Sequence, residues 1–294
     1  MPCYRPITGY RSKDKNANGK RPIVFTLAEG FIDRPVQFGC GKCIGCKLKH
    51  SSEWAIRCIH EASLYPQNSN SFLSMTYAPH MLPQNCSLVK SDLQKFFKRL
   101  RKAISPRKIK YLAIGEYGDQ THRPHYHALV FNYGFPDKKL KKLSYSGHRL
   151  YISEELDKIW GHGHCWIGDL TFQTAAYCAR YSMKKIFKHS LSYEDNGITP
   201  EFLTCSNGIG RKFINSKMER DNALRDGYFV HNGKKYPIPR YYDKIFELEE
   251  PIRQNILSIM RKKAAQEKYK EDSLRLDQKE EYKTKVLSLL RRQL

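Results

Sequence analysis

The chain has 294 residues, and 52 Lys and Arg against 29 Asp and Glu leave a formal net charge of +23. That charge draws the protein to polyanions, nucleic acid first and an anionic membrane surface second. No apolar run reaches the ~18 to 20 residues a spanning helix requires, and residues 1–22 are polar and basic with no apolar stretch suited to a secretory signal, so a cytoplasmic protein is expected. Nine cysteines in such a compartment point to thiols or a metal site and away from a disulfide framework.

In chain order, residues 4–38 read as turn and loop with room for one strand. The cluster Cys40, Cys43, Cys46 then leads into a helix expected over 53–64, and the Pro- and Asn-containing stretch 65–70 breaks it. A strand follows over 72–77. Leu93, Phe96, Phe97 and Leu100 are spaced for one face of a helix over 91–104. Residues 109–116 and 125–131 form a strand pair joined by the turn-like 118–124. Ser153 caps a short helix over 153–160, a strand spans 164–171, and a helix runs over 173–187.

Strand, helix, strand, strand, helix, strand is the split βαβ, ferredoxin-like order, an α+β fold whose antiparallel sheet carries helices on one face. The expected division is a Cys-cluster segment over 1–70, a core over 71–190, and a basic, mostly helical extension over 191–294. In that extension Ile252, Ile256, Ile259 and Met260 form one helical stripe. There is no internal repeat and no Walker-type phosphate loop, so the chain is not expected to unwind DNA by itself.

Two patterns carry chemistry. His125 and His127 lie two apart in a strand, so both imidazoles leave one face of the sheet, and Glu116 on the partner strand can join them if the turn sets the register. Such a trio can hold a divalent ion with positions open for a phosphate oxygen. Magnesium prefers oxygen ligands and manganese accepts imidazole, which leaves the ion open. Tyr177 and Tyr181 lie four apart, so a helix projects both phenols from one face, with Arg180 and Lys184 as nearby cations that favour phenolate and hold a phosphate. The plain alternative for each, packed histidines or a tyrosine-lined core helix, weakens when the two patterns occur together. Metal to polarise a phosphodiester and tyrosine to attack it make a DNA-nicking centre.

Phe72-Leu-Ser-Met-Thr-Tyr77, Gly115-Glu-Tyr-Gly118, Arg123-Pro-His-Tyr-His-Ala128 and Tyr177-Cys-Ala-Arg-Tyr-Ser-Met-Lys184 resemble, in order, the motifs of HUH-class rolling-circle replication initiators. The resemblance is strongest to those of gokushovirus-like microviruses, small single-stranded DNA bacteriophages, and covers residues 40–190 well. It implies His125, His127 and Glu116 as ligands of magnesium or manganese, Tyr177 and Tyr181 as nucleophiles, and Lys184 as a phosphate contact. It also implies nicking of single-stranded DNA at the viral origin in the host cytoplasm, alongside host helicase and replication proteins.

Cys40, Cys43 and Cys46 need a fourth ligand to complete a structural zinc site, with Cys3 the first candidate and His50 and Cys58 in reserve. The basic stretches 95–107 and 138–142 are expected along a DNA path. Transposases and relaxases share the metal and tyrosine chemistry. A zinc-containing DNA-binding protein without catalysis is the reading from another class.

Overall fold

The computed structural model describes residues 3–17, 19, 21–118, 121–144, 147–181, 197–268 and 273–289. Three strands come first, β1 (Ile7–Ser12), β2 (Ile23–Val24) and β3 (Gly30–Phe38), followed by helix α1 (Ile44–Ala62). Next are β4 (Asn70–Thr76), α2 (Lys90–Ala103), β5 (Lys110–Tyr117), β6 (Pro124–Phe131), β7 (Lys139–Leu143) and β8 (Arg149–Ile152). Then come α3 (Glu154–Trp160), β9 (Cys165–Gly168), α4 (Phe172–Tyr181) and β10 (Phe202–Cys205). Short helices α5 (Arg211–Asn215) and α6 (Lys217–Asp226), the hairpin β11 (Tyr228–His231) and β12 (Lys234–Pro237), α7 (Arg240–Glu249), α8 (Pro251–Lys268) and α9 (Ser273–Leu289) complete the order. Two compact units result: one holds Ser51–Lys263, the other Met1–His50 with Ala264–Arg291. No helix among the described residues is long and apolar enough to cross a membrane.

The larger unit is built on a seven-stranded sheet of order β10-β5-β6-β4-β9-β8-β7, every pair antiparallel. Its centre, β9-β4-β6-β5, comes from the succession β4-α2-β5-β6-α3-β9, with β7 and β8 inserted between β6 and α3. Leu93, Phe96, Phe97 and Leu100 of α2 and Leu156, Ile159 and Trp160 of α3 pack on one face, against Leu73, Met75, Ala113, Tyr126, Ala128 and Val130. The expectation of helices on one face holds for these two crossing helices only. Ala55 and Cys58 of α1 with Ala175 and Cys178 of α4 cover the other face, on Phe72, Leu112, Ile114, Leu129 and Phe131. Strands β5 and β6 are apolar on both sides over most of their length, so an uncovered face would leave large side chains in water. Edge strand β7 is exposed throughout and carries three lysines, which discourages pairing with another sheet.

Local rules hold where they were legible. Ser153 Oγ accepts from the Leu156 amide at 3.0 Å and caps α3, and Gly161 ends that helix at φ +68°. Arg99 of α2 donates to the carbonyls of Ile159 at 2.6 Å and Trp160 at 2.7 Å, satisfying the helix end. Gly163 must be glycine, because a Cβ there would fall 2.3 Å from the Ala78 nitrogen. His162 and His164 flank it with their carbonyls bonded to the amides of Ala78 and Thr76, so this His-rich turn extends the ladder.

Helix α1 starts at Ile44, nine residues before the expected 53, because the cysteine loop itself caps it. Strands β1 to β3 replace the loop expected over 4–38, in a small sheet of order β2-β1-β3. Their apolar residues Ile7, Phe31, Ile32 and Val36 are exposed, so no burial pattern announces them. Residues beyond 190 supply β10 to the large sheet and a second core in which Ile56 meets Ile214, Leu224, Phe229, Tyr242, Ile245 and Phe246.

In that core the His60 ring stacks on Phe213 at 3.9 Å, and its Nδ1 lies 3.1 Å from the Tyr242 hydroxyl. Burial, then the charge of His231, pushes His60 down to about 3. The folded state therefore refuses a proton that the unfolded chain takes up near ~6.5, so this stability is whole above that pH and drains as pH falls toward 3, at up to ~1.4 kcal/mol per pH unit. His60→Gln should show a smaller fall in urea midpoint than the parent protein between about pH 6.5 and 4.5; equal falls in both proteins reject this origin of the acid sensitivity.

A candidate metal and tyrosine centre

The β5–β6 hairpin places the site. Its register sets Glu116 opposite His125 and Ile114 opposite His127, and the Gly118 amide closes the turn on the Arg123 carbonyl at 3.1 Å. Alternation then points Glu116, His125 and His127 to the face covered by α4. His125 Nε2 lies 2.9 Å and His127 Nε2 3.1 Å from the same oxygen, Glu116 Oε1. The Glu116 and His127 side chains are buried, and that of His125 is 18 % exposed.

Burial pushes the Glu116 carboxyl up, but the hydrogen bonds from His125 and His127 outweigh it and hold the group below the usual carboxylate range. Burial pushes His127 down, and the nearby carboxylate recovers only part of that shift, so neutral imidazole is favoured. His125 Nδ1 lies 3.1 Å from the Arg123 carbonyl, which can only accept. The His125 Nε2 faces the Glu116 carboxylate oxygen at 2.9 Å, so the ring is held between two acceptors. Glu116 Oε2 is buried with no hydrogen-bond partner among the described residues, and the donor atoms of the trio all lie within 4.8 Å of one another. Two imidazole nitrogens and a carboxylate fit a divalent ion.

Tyr177 reaches the same oxygen. Thr171 and Thr174 cap α4 reciprocally, each amide donating to the other's hydroxyl at 2.8 and 3.2 Å. The small residues Ala175, Cys178 and Ala179 are fully buried and let the helix lie close on the sheet. Half-buried Tyr177 then donates from its hydroxyl to Glu116 Oε1 at 3.0 Å, with its ring edge-on to His127 at 5.2 Å. Phe72, quoted in the sequence only as the first residue of the Phe72–Tyr77 motif and given no role there, stacks on His127 at 5.3 Å; its row opposite Leu129, beside the His strand, is set by the pairing of β4 with β6. Tyr181 and Arg180 lie in the last turn of α4 with side chains outside the described residues, and Lys184 lies outside them altogether.

In the smaller unit Cys3, Cys40, Cys43 and Cys46 converge, their sulfurs within 4.8 Å of one another. The Cys3 and Cys43 sulfurs are 3.8 Å apart, the edge of a tetrahedron around zinc with bonds of ~2.3 Å. Amides turn inward: Cys40 donates to Cys3, Cys43 to Cys40, and Tyr4 and Cys46 to Cys43, at 3.2 to 3.4 Å. Burial pushes the Cys43 thiol up, but the amides of Cys46 and Tyr4 pull it down to about 7, toward the thiolate a metal binds. Gly41 at φ +73° turns the loop. Glu280 of α9 accepts from the Ile44 amide at 3.3 Å and from Arg5 at 2.8 Å, placing negative charge at the start of α1. Cys3 is the fourth member, while Cys58 lies in the apolar layer under the large sheet and His50 is outside the cluster.

The family model of the replication-associated protein ORF2/G2P matches residues 70–186, the stretch that carries the trio and Tyr177. The replication-associated protein VP4 of Bdellovibrio phage phiMH2K is 34 % identical over 261 residues, 85 % of this chain and 79 % of its own length. The replication-associated protein ORF2 of Spiroplasma virus 4 is also 34 % identical, over 85 % of this chain and 81 % of its length. The replication-associated protein ORF4 of Chlamydia phage 1 is 32 % identical, over 69 % and 52 %. No solved structure matches the chain. With two relatives of such identity aligned over most of their length, the chain belongs to the replication-associated ORF2/G2P proteins of small single-stranded DNA phages.

Proposed function

We propose that this protein nicks single-stranded DNA at a viral origin and rejoins it during rolling-circle replication, with Tyr177 as nucleophile and magnesium or manganese held by His125, His127 and Glu116. One observation carries the reading: the Tyr177 hydroxyl and both imidazoles meet on one buried carboxylate oxygen. The replication role printed for the relatives supports it. So does the central order β9-β4-β6-β5 with both crossing helices on one face, which is that of the ferredoxin-like core of HUH-class nickases.

A divalent ion at this trio supplies Lewis-acid polarisation of the scissile phosphate. The chain's own groups do the rest. Neutral His127 and carboxylate Glu116 present lone pairs, Phe72 and the sheet hold the imidazole in place, and Glu116 Oε1 orients the phenol. Tyr177 Oη forms the bond to phosphorus, the bond to O3′ breaks, and the phenol proton ends on the 3′ oxygen. The 5′-phosphotyrosine keeps the energy of the cut bond, so a 3′ hydroxyl can reverse the step. Tyr181 is the second nucleophile in this reading, with Arg180 and Lys184 as phosphate contacts. Structural zinc on Cys3, Cys40, Cys43 and Cys46 holds the smaller unit. Host helicase and replication proteins in the bacterial cytoplasm complete the cycle.

Incubated with manganese and single strands tiled across the viral genome, the protein should form a covalent DNA adduct resistant to boiling in detergent, and Tyr177→Phe with Tyr181→Phe should form none. A parent protein that gives no adduct on any strand sinks the nicking reading. Glu116→Gln, which preserves shape and removes charge, should weaken manganese binding in calorimetry by at least ~10-fold; unchanged affinity means the ion sits elsewhere. Purified protein should contain a single zinc, and Cys43→Ser should lose it together with several degrees of melting temperature. Zinc retained in that variant removes the cysteine site.

A further inference from the structure

Beside the centre, on the same face of the sheet, lies a cavity of 230 Å³. Its floor is a run of small residues. Ser74 stands between His127 and Trp166 in one register row, and Gly168 has no side chain to place against Phe72, whose Cδ1 would lie 3.3 Å from a Cβ there. One wall is the half-buried ring of Trp166, with the Lys142 ammonium 4.9 Å from its centroid and Arg149 alongside. His127 forms part of the wall toward the metal trio. The cavity also reaches Thr174 in the first turn of α4, three residues before Tyr177.

We propose that this cavity is a nucleobase pocket: an unpaired nucleotide next to the cleaved phosphate rests its base on Trp166 and its own phosphate on Lys142 and Arg149. The proposal rests on the nicking reading and deepens it by naming what holds the strand. Among the described lining residues Lys142 and Arg149 outnumber the single carboxylate, Asp169, so the pocket keeps a net positive charge beside an aromatic face. That pairing of features suits single-stranded nucleic acid, whose every base has a π-face and whose every linkage has an anion. Lys142 covers the ring in the free protein by attraction to its face. An arriving phosphate draws the ammonium away and frees the ring to stack. With Thr174 and Tyr177 one turn apart on α4, a nucleotide seated here has its linkage within reach of the phenol.

The test measures binding without chemistry, so that it stands apart from nicking. A fluorescent strand, the one that gives adduct or otherwise a mixed-sequence strand, is titrated with no divalent ion added, and one abasic site is walked along it. In the parent protein one position should cost ~10- to 100-fold in affinity. Trp166→Leu should lose about as much with the intact strand and nothing further at that position, while Trp166→Phe restores both. Lys142→Gln should weaken all strands and lower the salt slope by ~1. 2-Aminopurine at the same position should be quenched on binding in the parent protein, a readout that survives a variant that does not fold. Abasic costs spread evenly over every position, with no position quenched, overturn the pocket. A protein that forms adduct without such a position keeps the nicking reading and loses the pocket, and one with the position but no adduct does the reverse.

Discussion

One carboxylate oxygen organises the centre. Glu116 Oε1 is approached by two imidazoles and a phenol at 2.9 to 3.1 Å, and its side chain is buried. A buried carboxylate with so many partners is affordable only because they share its charge; alone it would be driven toward protonation. The rest of the large unit can be understood as what brings those partners there. The β5–β6 register supplies the histidines, and α4 must lie close enough on the sheet for Tyr177 to arrive. Alanine and cysteine, rather than larger residues, face the strands for that reason.

The same constraint explains why the sheet is covered on both sides. The face under α2 and α3 is an aromatic core in which Tyr77, Tyr126 and Trp160 satisfy one another and the backbone: Tyr77 and Tyr126 hydroxyls are 2.9 Å apart and the Trp160 indole donates to Thr76 at 3.0 Å. That side fixes the strands. The opposite side, under α1 and α4, holds the ionisable groups and stays partly open at His125 and Tyr177. Rigidity on one face and access on the other are what a preorganised site needs.

The two clusters that could hold a metal ion differ in kind. Glu116, His125 and His127 offer three donors of mixed chemistry with one side toward solvent, the arrangement of a site that keeps positions for something else. The four cysteines are matched, pointed inward and bonded by backbone amides, which is the closed arrangement of a structural site. Glu280 and Arg5 tie α9 to the same cluster within the smaller unit, so loss of that cluster would release the helix as well as the loop.

Much of the large unit was legible in the chain. The spacing of Leu93, Phe96, Phe97 and Leu100, the cap at Ser153, and the alternation through His125 and His127 are local properties, and local chemistry is enough to set them. The Tyr177 helix and the Cys40, Cys43, Cys46 run could be read from spacing for the same reason, whereas the choice of Cys3 over His50 and Cys58 needed the fold. Three things could not. The helix layer of α1 and α4 depends on which strands end up buried on both sides, which no single segment encodes. Strands β1 to β3 expose their apolar residues and so carry no burial period. The distance from Tyr177 to Glu116, across 61 residues, is set by how closely a helix of small residues lies on a sheet, and only the packed chain decides that.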